Sequence, residues 1–219
     1  MEDYFDNVYN TIVLRDIIER ENIRNVPLLR MLLKFVSDNI GTQFSAQSIV
    51  KFLKSQNTDT SAKVILSYLE YLCNAYIIDR VNRFDIHRKK LFEMGDKFYF
   101  EDLGIRNYII GGNRKFDIEK VMGNAVYCHL SRMGYKVFVG QLQKGEIDFV
   151  AEKAGGTVYV QVTYLLASEE TVEREFGNLQ LVRDSHPKYV VSMDRMCGQT
   201  NVDGIKHVHL RDFLKMTTF

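Results

Sequence analysis

Two segments in the second half of the chain alternate apolar and polar residues with a period of two. They are residues 145–150 (GEIDFV) and 158–163 (VYVQVT). Such alternation predicts β-strands with two distinct faces. The stretch between them contains Lys153-Ala154-Gly155-Gly156, which favours a hairpin turn. This part of the chain is therefore predicted to contain a small sheet.

The polar positions of the two strands suggest a common patch. Glu146 and Asp148 share one face of the first strand, and Gln161 and Thr163 share one face of the second. A hairpin would bring these two carboxylates, the amide and the hydroxyl together, as in a divalent-metal nuclease site. In a second interpretation, Glu146 and Asp148 form the polar face of the hairpin, and Gln161 and Thr163 are their cross-strand hydrogen-bond partners.

The elements around these strands predict the fold class of the second half. Apolar periodicity and caps predict a helix, three strands, a helix and a strand, at residues 118–133, 136–142, 145–150, 158–163, 168–182 and 189–193. A further strand over 205–209 and a short helix over 210–216 follow. This order predicts an α/β (α+β) sandwich.

The first half of the chain is predicted to be mainly helical. Residues 1–41 form a helical N-terminal segment in which Pro27 suits the first turn of a helix. Ser45 suits the N-cap of a short helix, and a second helix spans about 60–75. Two extended stretches and a basic link at 85–90 follow, which is the order of a winged helix. We therefore predict domains over 1–41, 42–114 and 115–219, with a boundary marked by Gly111-Gly112.

Charge is concentrated in the winged-helix segment. Residues 42–100 carry 9 Lys and Arg against 6 Asp and Glu, whereas residues 101–219 carry 15 of each. This surplus suggests phosphate contacts with DNA. The predicted DNA-binding residues are Lys51, Lys54, Lys63, Arg80, Arg83, Arg88, Lys89 and Lys90. A winged helix that packs on a protein, with its cations merely solvated, is the alternative.

Several classes of protein are disfavoured by composition. No run approaches the ~18 apolar residues of a membrane span, and the acidic N-terminus has no signal-peptide core. The three cysteines are scattered without a CxxC pair, which is typical of reduced thiols rather than disulfides or zinc ligands. We expect a cytoplasmic protein without a membrane partner.

A series of short motifs resembles a known family. The motifs are YNTIVLRDI at 9–17, DNIG at 38–41, YLEYL at 68–72, YFEDLGIRN at 99–107, EIDFVA at 146–151 and YVQVT at 159–163. In this order they resemble the region that follows the ATPase domain in a large group of bacterial and archaeal AAA+ ATPases, a group labelled a domain of unknown function. The resemblance covers nearly the whole chain and implies a winged helix followed by a PD-(D/E)XK nuclease-like domain. It also implies DNA and an AAA+ ATPase domain as partners.

The resemblance assigns roles to particular residues. It implies that Glu146, Asp148, Gln161 and Thr163 occupy catalytic positions, with Asp148 and Gln161 holding Mg²⁺ or Mn²⁺. Thr163 stands where relatives carry a lysine, and Gly123 stands where they carry a helix acid. A missing charged group at such a site costs about 3 kcal/mol of transition-state stabilisation. Lys144 or Lys136 would have to replace the lysine.

These observations lead to three functional hypotheses. The first is a DNA-associated effector region of an AAA+ ATPase-type protein, with a degenerate nuclease-like domain. The second is an active metal-dependent DNA endonuclease, and the third is a non-catalytic protein-interaction domain. The chain contains no GxxxxGK[ST] phosphate loop, so we expect no ATP-binding residues in it.

Overall fold

The computed structural model describes residues 2–92, 95–112, 117–195 and 201–219. The chain divides into two compact units, one formed by 1–80 and 95–115 and the other by 81–94 and 116–219. The helices are α1 (Glu2–Val8), a π-helical segment (Tyr9–Asp16), α2 (Ile17–Arg20), α3 (Val26–Asp38), α4 (Ala46–Ser55), α5 (Ala62–Asn74), α6 (Leu103–Ile110), α7 (Ile118–Arg132), α8 (Glu169–Gln180) and α9 (Leu210–Phe213). The strands are β1 (Ile78–Val81), β2 (Arg83–Asp85), β3 (Lys90–Leu91), β4 (Lys97–Phe100), β5 (Lys136–Gln141), β6 (Glu146–Lys153), β7 (Gly156–Val162), β8 (Lys188–Ser192), β9 (Asn201–Val202) and β10 (Ile205–His209).

The first unit is a helical cluster with a two-stranded sheet of β1 and β4. Its helices begin where side chains can accept hydrogen bonds from free backbone N–H groups. Ser45 accepts from the N–H of Ser48 and Ser61 from that of Val64, which confirms the predicted cap at Ser45. The apolar stripes meet in one core, whose fully buried members include Leu29, Leu32, Leu33, Val36, Ile49, Leu53, Ile65, Leu72 and Phe100.

A buried arginine lies at the end of α3. Arg106 of α6 is 0% exposed, and its Nε donates to the carbonyl of Ser37 at 2.9 Å. Its Nη1 donates to Asn107 Oδ1 at 3.2 Å. The last carbonyl groups of a helix have no partner within the helix. The guanidinium therefore satisfies the C-terminus of α3 from inside the core.

The second unit is built on an eight-stranded mixed sheet in the order β3-β2-β5-β6-β7-β8-β10-β9. Strands β5, β6 and β7 are antiparallel neighbours, whereas β8 runs parallel to β7 and to β10. The predicted order of helix, three strands, helix and strand is confirmed. The coarse prediction of a mixed α/β architecture with helices and a mixed sheet is confirmed as well.

Helices α7 and α8 lie on opposite faces of this sheet. Phe149 of β6 meets Tyr127 of α7, with ring centroids 6.4 Å apart. The next residue, Val150, belongs to the buried cluster that contains Phe176 and Leu179 of α8. Successive side chains of a strand point to opposite faces. Each face of the sheet is therefore covered by one of the two helices.

A β-bulge interrupts the pairing of β5 and β6. Phe138 pairs with Val150 and Gly140 pairs with Ile147, so β6 has one extra residue in this interval. A Cβ atom at Gly140 would lie 2.7 Å from Val150 Cγ2 and 2.8 Å from Ile86 Cδ1. The glycine is required because side chains from both sides close over it.

We expect Gly140→Ala to lower the free energy of unfolding by about 1 to 2 kcal/mol, because the added methyl group overpacks this site. Gly123→Ala is the matched control. A Cβ there meets no atom within 4 Å, and alanine in a helix is favoured over glycine by about 0.5 to 1 kcal/mol. Urea unfolding of both variants measures the two effects, and equal stability of the two would contradict this packing.

The hairpin that carries Arg88, Lys89 and Lys90 pairs with a different part of the chain from the one that the sequence predicts. Arg88, Lys89 and Lys90 were expected on a ribbon that continues from the helices of the winged helix. In the structure β2 and β3 form the hairpin, and β2 pairs in parallel with β5. The residue pairs are Arg83 with Val139 and Asp85 with Gln141. Residues 81–94 therefore belong to the second unit.

None of the helices that the structure describes is long and apolar enough to cross a membrane.

Candidate functional site

Strands β6 and β7 part at the position of the predicted site residues. The register runs from Lys153–Gly156 to Phe149–Val160 and no further. Beyond the Phe149–Val160 pair, hydrogen bonds from side chains replace the backbone hydrogen bonds of the ladder. The N–H of Asp148 donates to Gln161 Oε1 at 3.2 Å, and the N–H of Val162 donates to Asp148 Oδ2 at 2.8 Å. Asp148 and Gln161 are thus brought together, and each bonds to the backbone of the opposite strand.

The other two predicted residues occupy different positions. Thr163 is 2% exposed, and its N–H donates to the carbonyl of Val191 on β8 at 3.0 Å. Glu146 is half-buried, and its carbonyl accepts a bond from Asn178 of α8 at 3.1 Å. These two residues are therefore anchored by their backbone groups to neighbouring elements.

Asp148 and Gln161 meet across the gap between β6 and β7. Phe149 pairs with Val160, so Asp148 and Gln161 occupy the next opposed positions of the two antiparallel strands. Their hydrogen bonds join each side chain to the backbone of the opposite strand rather than leaving both in an open patch.

This donor set does not fit a resident Mg²⁺ or Mn²⁺ ion. Such ions need several oxygen ligands, mainly carboxylates, that converge in open geometry. Here the Gln161 oxygen receives the N–H of Asp148, and one Asp148 oxygen receives the N–H of Val162. Among the residues that the structure describes, no group of three His, Cys, Asp or Glu side chains is placed to hold a metal ion.

Two further charged residues of the second unit were not among the residues predicted to be functional. Glu175 is 3% exposed on the buried stripe of α8, with its Oε1 accepting from Arg174 at 2.7 Å and its Oε2 without a partner. Glu119 of α7 accepts the N–H of Tyr164, just after β7, at 3.2 Å. The available signal for Glu175 was its position among Val172, Phe176 and Leu179, where helical spacing predicts an apolar residue.

A second polar network lies at the ends of β8 and β10. Ser192 and His207 are buried, and Ser192 Oγ lies 2.8 Å from His207 Nε2. The N–H of Asp194 donates to Ser192 Oγ at 3.0 Å, and Asp194 Oδ2 accepts from the N–H of Leu166. A serine that is 0% exposed is not available as a nucleophile. The network instead ties the loop before α8 to the loop after β8.

Burial of histidines makes the second unit sensitive to acid. Burial lowers the pKa of His207, against the opposing effect of Asp194, and burial also lowers the pKa of His129. The unfolded chain binds protons near the ordinary histidine pKa of about 6.5, whereas the folded chain binds them only at lower pH. The unfolded state therefore holds more protons in this window, and stability falls as the pH drops below about 6.5.

We expect the melting temperature to fall between about pH 7 and pH 5.5, a range that lies above most carboxylate titrations. A His129→Gln/His207→Gln variant should show a smaller fall over the same range, because two of the groups that titrate are removed. His87→Gln, at an exposed histidine, should keep the wild-type dependence. An unchanged pH profile of the double variant would contradict the role of burial.

The predicted DNA-binding residues are divided between the two units. Lys51, Lys54 and Lys63 are exposed on α4 and α5, and Lys89 and Lys90 are exposed on the β2–β3 hairpin. The three arginines have partners instead. Arg80 lies 3.8 Å from Asp96, Arg88 lies 3.8 Å from Asp85, and Arg83 donates to Gln141 and covers the ring of Phe92.

Comparisons with known proteins give relatives but no activity. A family model described as "Domain of unknown function (DUF8612)" matches residues 1–115. An uncharacterized protein of Haemophilus influenzae is 32% identical over 213 residues, covering 97% of this chain and 52% of the relative. Uncharacterized protein MJ1544 of Methanocaldococcus jannaschii is 28% identical over 179 residues, covering 80% of this chain and 38% of the relative. None of these descriptions mentions an ATPase or a nuclease.

Among solved structures, protein VC1899 from Vibrio cholerae is similar over 86% of this chain and 54% of that protein. The sequence identity is 14% and the TM-score is 0.30, a value too low to carry an argument about the fold. The chain spans about half the length of the Haemophilus relative and less of the Methanocaldococcus relative.

Proposed function

We propose that this chain, which belongs to the family described as "Domain of unknown function (DUF8612)", is a nucleic-acid-binding region whose nuclease-like unit does not cleave. In this proposal the helices α4 and α5 with the β1–β4 ribbon act as a winged helix. The second unit is a degenerate PD-(D/E)XK scaffold. DNA is the proposed ligand, and an AAA+ ATPase domain is the proposed partner.

One observation carries the non-cleaving part of this proposal. Asp148 and Gln161 hold β6 and β7 together through hydrogen bonds to the opposite backbone. A catalytic pair would instead present its oxygens to a metal ion and a water molecule. The order of α7, three antiparallel strands, α8 and a parallel strand supports a nuclease-like ancestry. The buried Thr163 and the helical Gly123 supply neither a cation nor a carboxylate.

The binding part of the proposal is supported by exposed cations. Lys51, Lys54 and Lys63 are exposed in the first unit, and within the described part of the chain none of them forms an ion pair. Free lysines of this kind contact phosphates without reading the base sequence. The AAA+ partner is supported by the motif series alone. A cytoplasmic location is supported by the free thiols of Cys73 and Cys128.

Fluorescence anisotropy with labelled duplex and single-stranded DNA tests the proposal. We expect binding whose affinity falls steeply between about 50 and 200 mM salt. A Lys51→Gln/Lys54→Gln/Lys63→Gln variant should reduce the salt slope on duplex DNA by about 0.9 for each phosphate contact removed. Lys34→Gln, on the exposed side of α3, is the control. No binding to either DNA at micromolar protein and low salt would exclude the proposal.

A protein-interaction role is the second candidate, because α5 also exposes apolar side chains. Val64 is 37% exposed and Leu66 is 50% exposed, and Phe52 of α4 is 43% exposed. Exposed apolar groups of this size are common at protein interfaces. If this candidate is correct, Leu66→Ser will abolish capture of a protein partner and leave DNA binding unchanged. If DNA is the ligand, the Lys51→Gln/Lys54→Gln/Lys63→Gln variant will instead weaken DNA binding and leave capture of a protein partner unchanged.

A further inference from the structure

A large cleft lies in the second unit, on the α8 side of the sheet. Helix α8 makes its main sheet contacts with β6, β7, β8 and β10. The cleft has a volume of about 1050 Å³. Its lining comes from the β2–β3 hairpin, the turn between β5 and β6, the strands β6 and β7, and the segment that follows α8.

Cations stand on opposite parts of this lining. Lys89 lies on the hairpin, Lys144 on the turn before β6, and Arg183 on the segment after α8. All three are exposed, and within the described residues none of them forms an ion pair. His87 and His186 add further nitrogen donors to the cleft.

The acidic groups of the cleft offset these cations only in part. Asp184 accepts from the Tyr159 hydroxyl at 2.7 Å and from Lys188 Nζ at 3.1 Å. Burial would raise the pKa of Asp184, but these two bonds, together with the His186 N–H and the positive charge of Lys188, outweigh it and lower that pKa. Lys188 therefore balances the Asp184 charge. Glu152 remains as the opposing carboxylate against three free cations.

Apart from Gln143 and Thr157, the rest of the lining is apolar and aromatic. Phe84, Ile86, Leu142, Leu181 and Val182 line the cleft beside Tyr159. Phe84 is backed by Phe138, with ring centroids 5.5 Å apart. A purely ionic ligand would gain nothing from such a floor. A chain of nucleotides offers both anionic phosphates and apolar base faces, which is the combination that single-strand grooves use.

We propose that this cleft, defined by Lys89, Lys144 and Arg183, binds single-stranded nucleic acid. This inference rests on the proposed nucleic-acid function and assigns a ligand class to a surface separate from the gap at Asp148. The strand would lay its phosphates against the three cations and its bases against the apolar floor. A duplex has its bases paired inside, so it cannot use that floor.

The test uses the full chain and a labelled oligonucleotide of about 12 nucleotides, a length typical of single-strand sites. A Lys144→Gln/Arg183→Gln variant should bind it about tenfold more weakly at low salt, with a salt slope reduced by about 1.4 for two lost contacts. Arg132→Gln/Lys215→Gln removes two exposed cations of the same unit that lie outside the cleft and should bind like the wild type. Leu181→Ser, which alters the apolar floor at an exposed residue, should weaken single-strand binding and leave the salt slope unchanged.

The outcomes separate this inference from the proposed function. If the wild type binds no nucleic acid, the proposed function fails and the cleft proposal fails with it. If the wild type binds and the cleft variant binds equally well, only the cleft proposal is overturned. Displacement of the oligonucleotide by a nucleoside monophosphate at a similar concentration of nucleotide units would also overturn it, because the site would then take a small ligand. Loss of single-strand binding with duplex binding retained is the supporting result.

Discussion

Replacing Arg106 by alanine is expected to lower the free energy of unfolding of the first unit by about 3 kcal/mol or more. The guanidinium is fully buried and donates to the carbonyl of Ser37 at the end of α3. Its loss removes a hydrogen bond from a charged donor and leaves a cavity and an unsatisfied carbonyl in the core. Lysine in its place keeps the charge but not the planar fork of donors, so Arg106→Lys should recover little of the loss.

Hydrogen exchange localises this effect to the first unit. We expect faster exchange of the amides in α3 and α6 in the Arg106→Ala variant, whereas those of β6 and β7 stay protected. Arg24→Ala, at an exposed arginine, should change the stability by less than about 0.5 kcal/mol. Equal protection of α3 in the wild type and in Arg106→Ala would show that the buried guanidinium is not needed.

Replacing Asp148 by alanine is the second substitution with a large expected effect. The variant should lose about 2 to 3 kcal/mol, because the N–H of Val162 would lose a charged acceptor at a half-buried position. Asp148→Asn keeps an acceptor oxygen and should lose less. Glu152→Ala, in the paired part of the same strand, should change the stability by less than about 0.5 kcal/mol.

A double-mutant cycle with Gln161→Ala adds a test of the shared gap. Asp148 and Gln161 bond to each other's strand, so the two substitutions should be non-additive by at least about 0.5 kcal/mol. Additive effects, or an Asp148→Ala variant as stable as the wild type, would contradict the structural role of this pair.

Local patterns in the sequence predict much of this fold. The period-two segments form β6 and β7. The predicted cap at Ser45 and the first residue of the helix predicted over 168–182, Ser168, accept hydrogen bonds from the first turns of α4 and α8. Alternation and helix capping depend only on residues that are close together in the sequence, so both can be predicted from it. The partner of β2 is different, because a two-residue period does not identify the neighbouring strand. Arg83 pairs with Val139, far along the chain, and this pairing moves the basic hairpin into the second unit.

The candidate site could be predicted only in part for a similar reason. The alternating polar residues predict that Asp148 and Gln161 come together, with cross-strand bonding as one interpretation. The local pattern contains no signal for the bulge in β6 or for the end of the ladder at Phe149, which set the two side chains against the opposite backbone. The pairing of Ser192 with His207 depends on the parallel register of β8 and β10. Such a register is set by tertiary packing, not by either segment alone.

A cleavage assay on supercoiled plasmid with Mg²⁺ or Mn²⁺, run beside the binding assay on the same protein, tests whether the region binds DNA without cleaving it. We predict that the wild type and Asp148→Asn both bind DNA and that neither nicks it above the level of the metal alone. Metal-dependent nicking by the wild type that Asp148→Asn abolishes would contradict a non-cleaving region and assign Asp148 to catalysis.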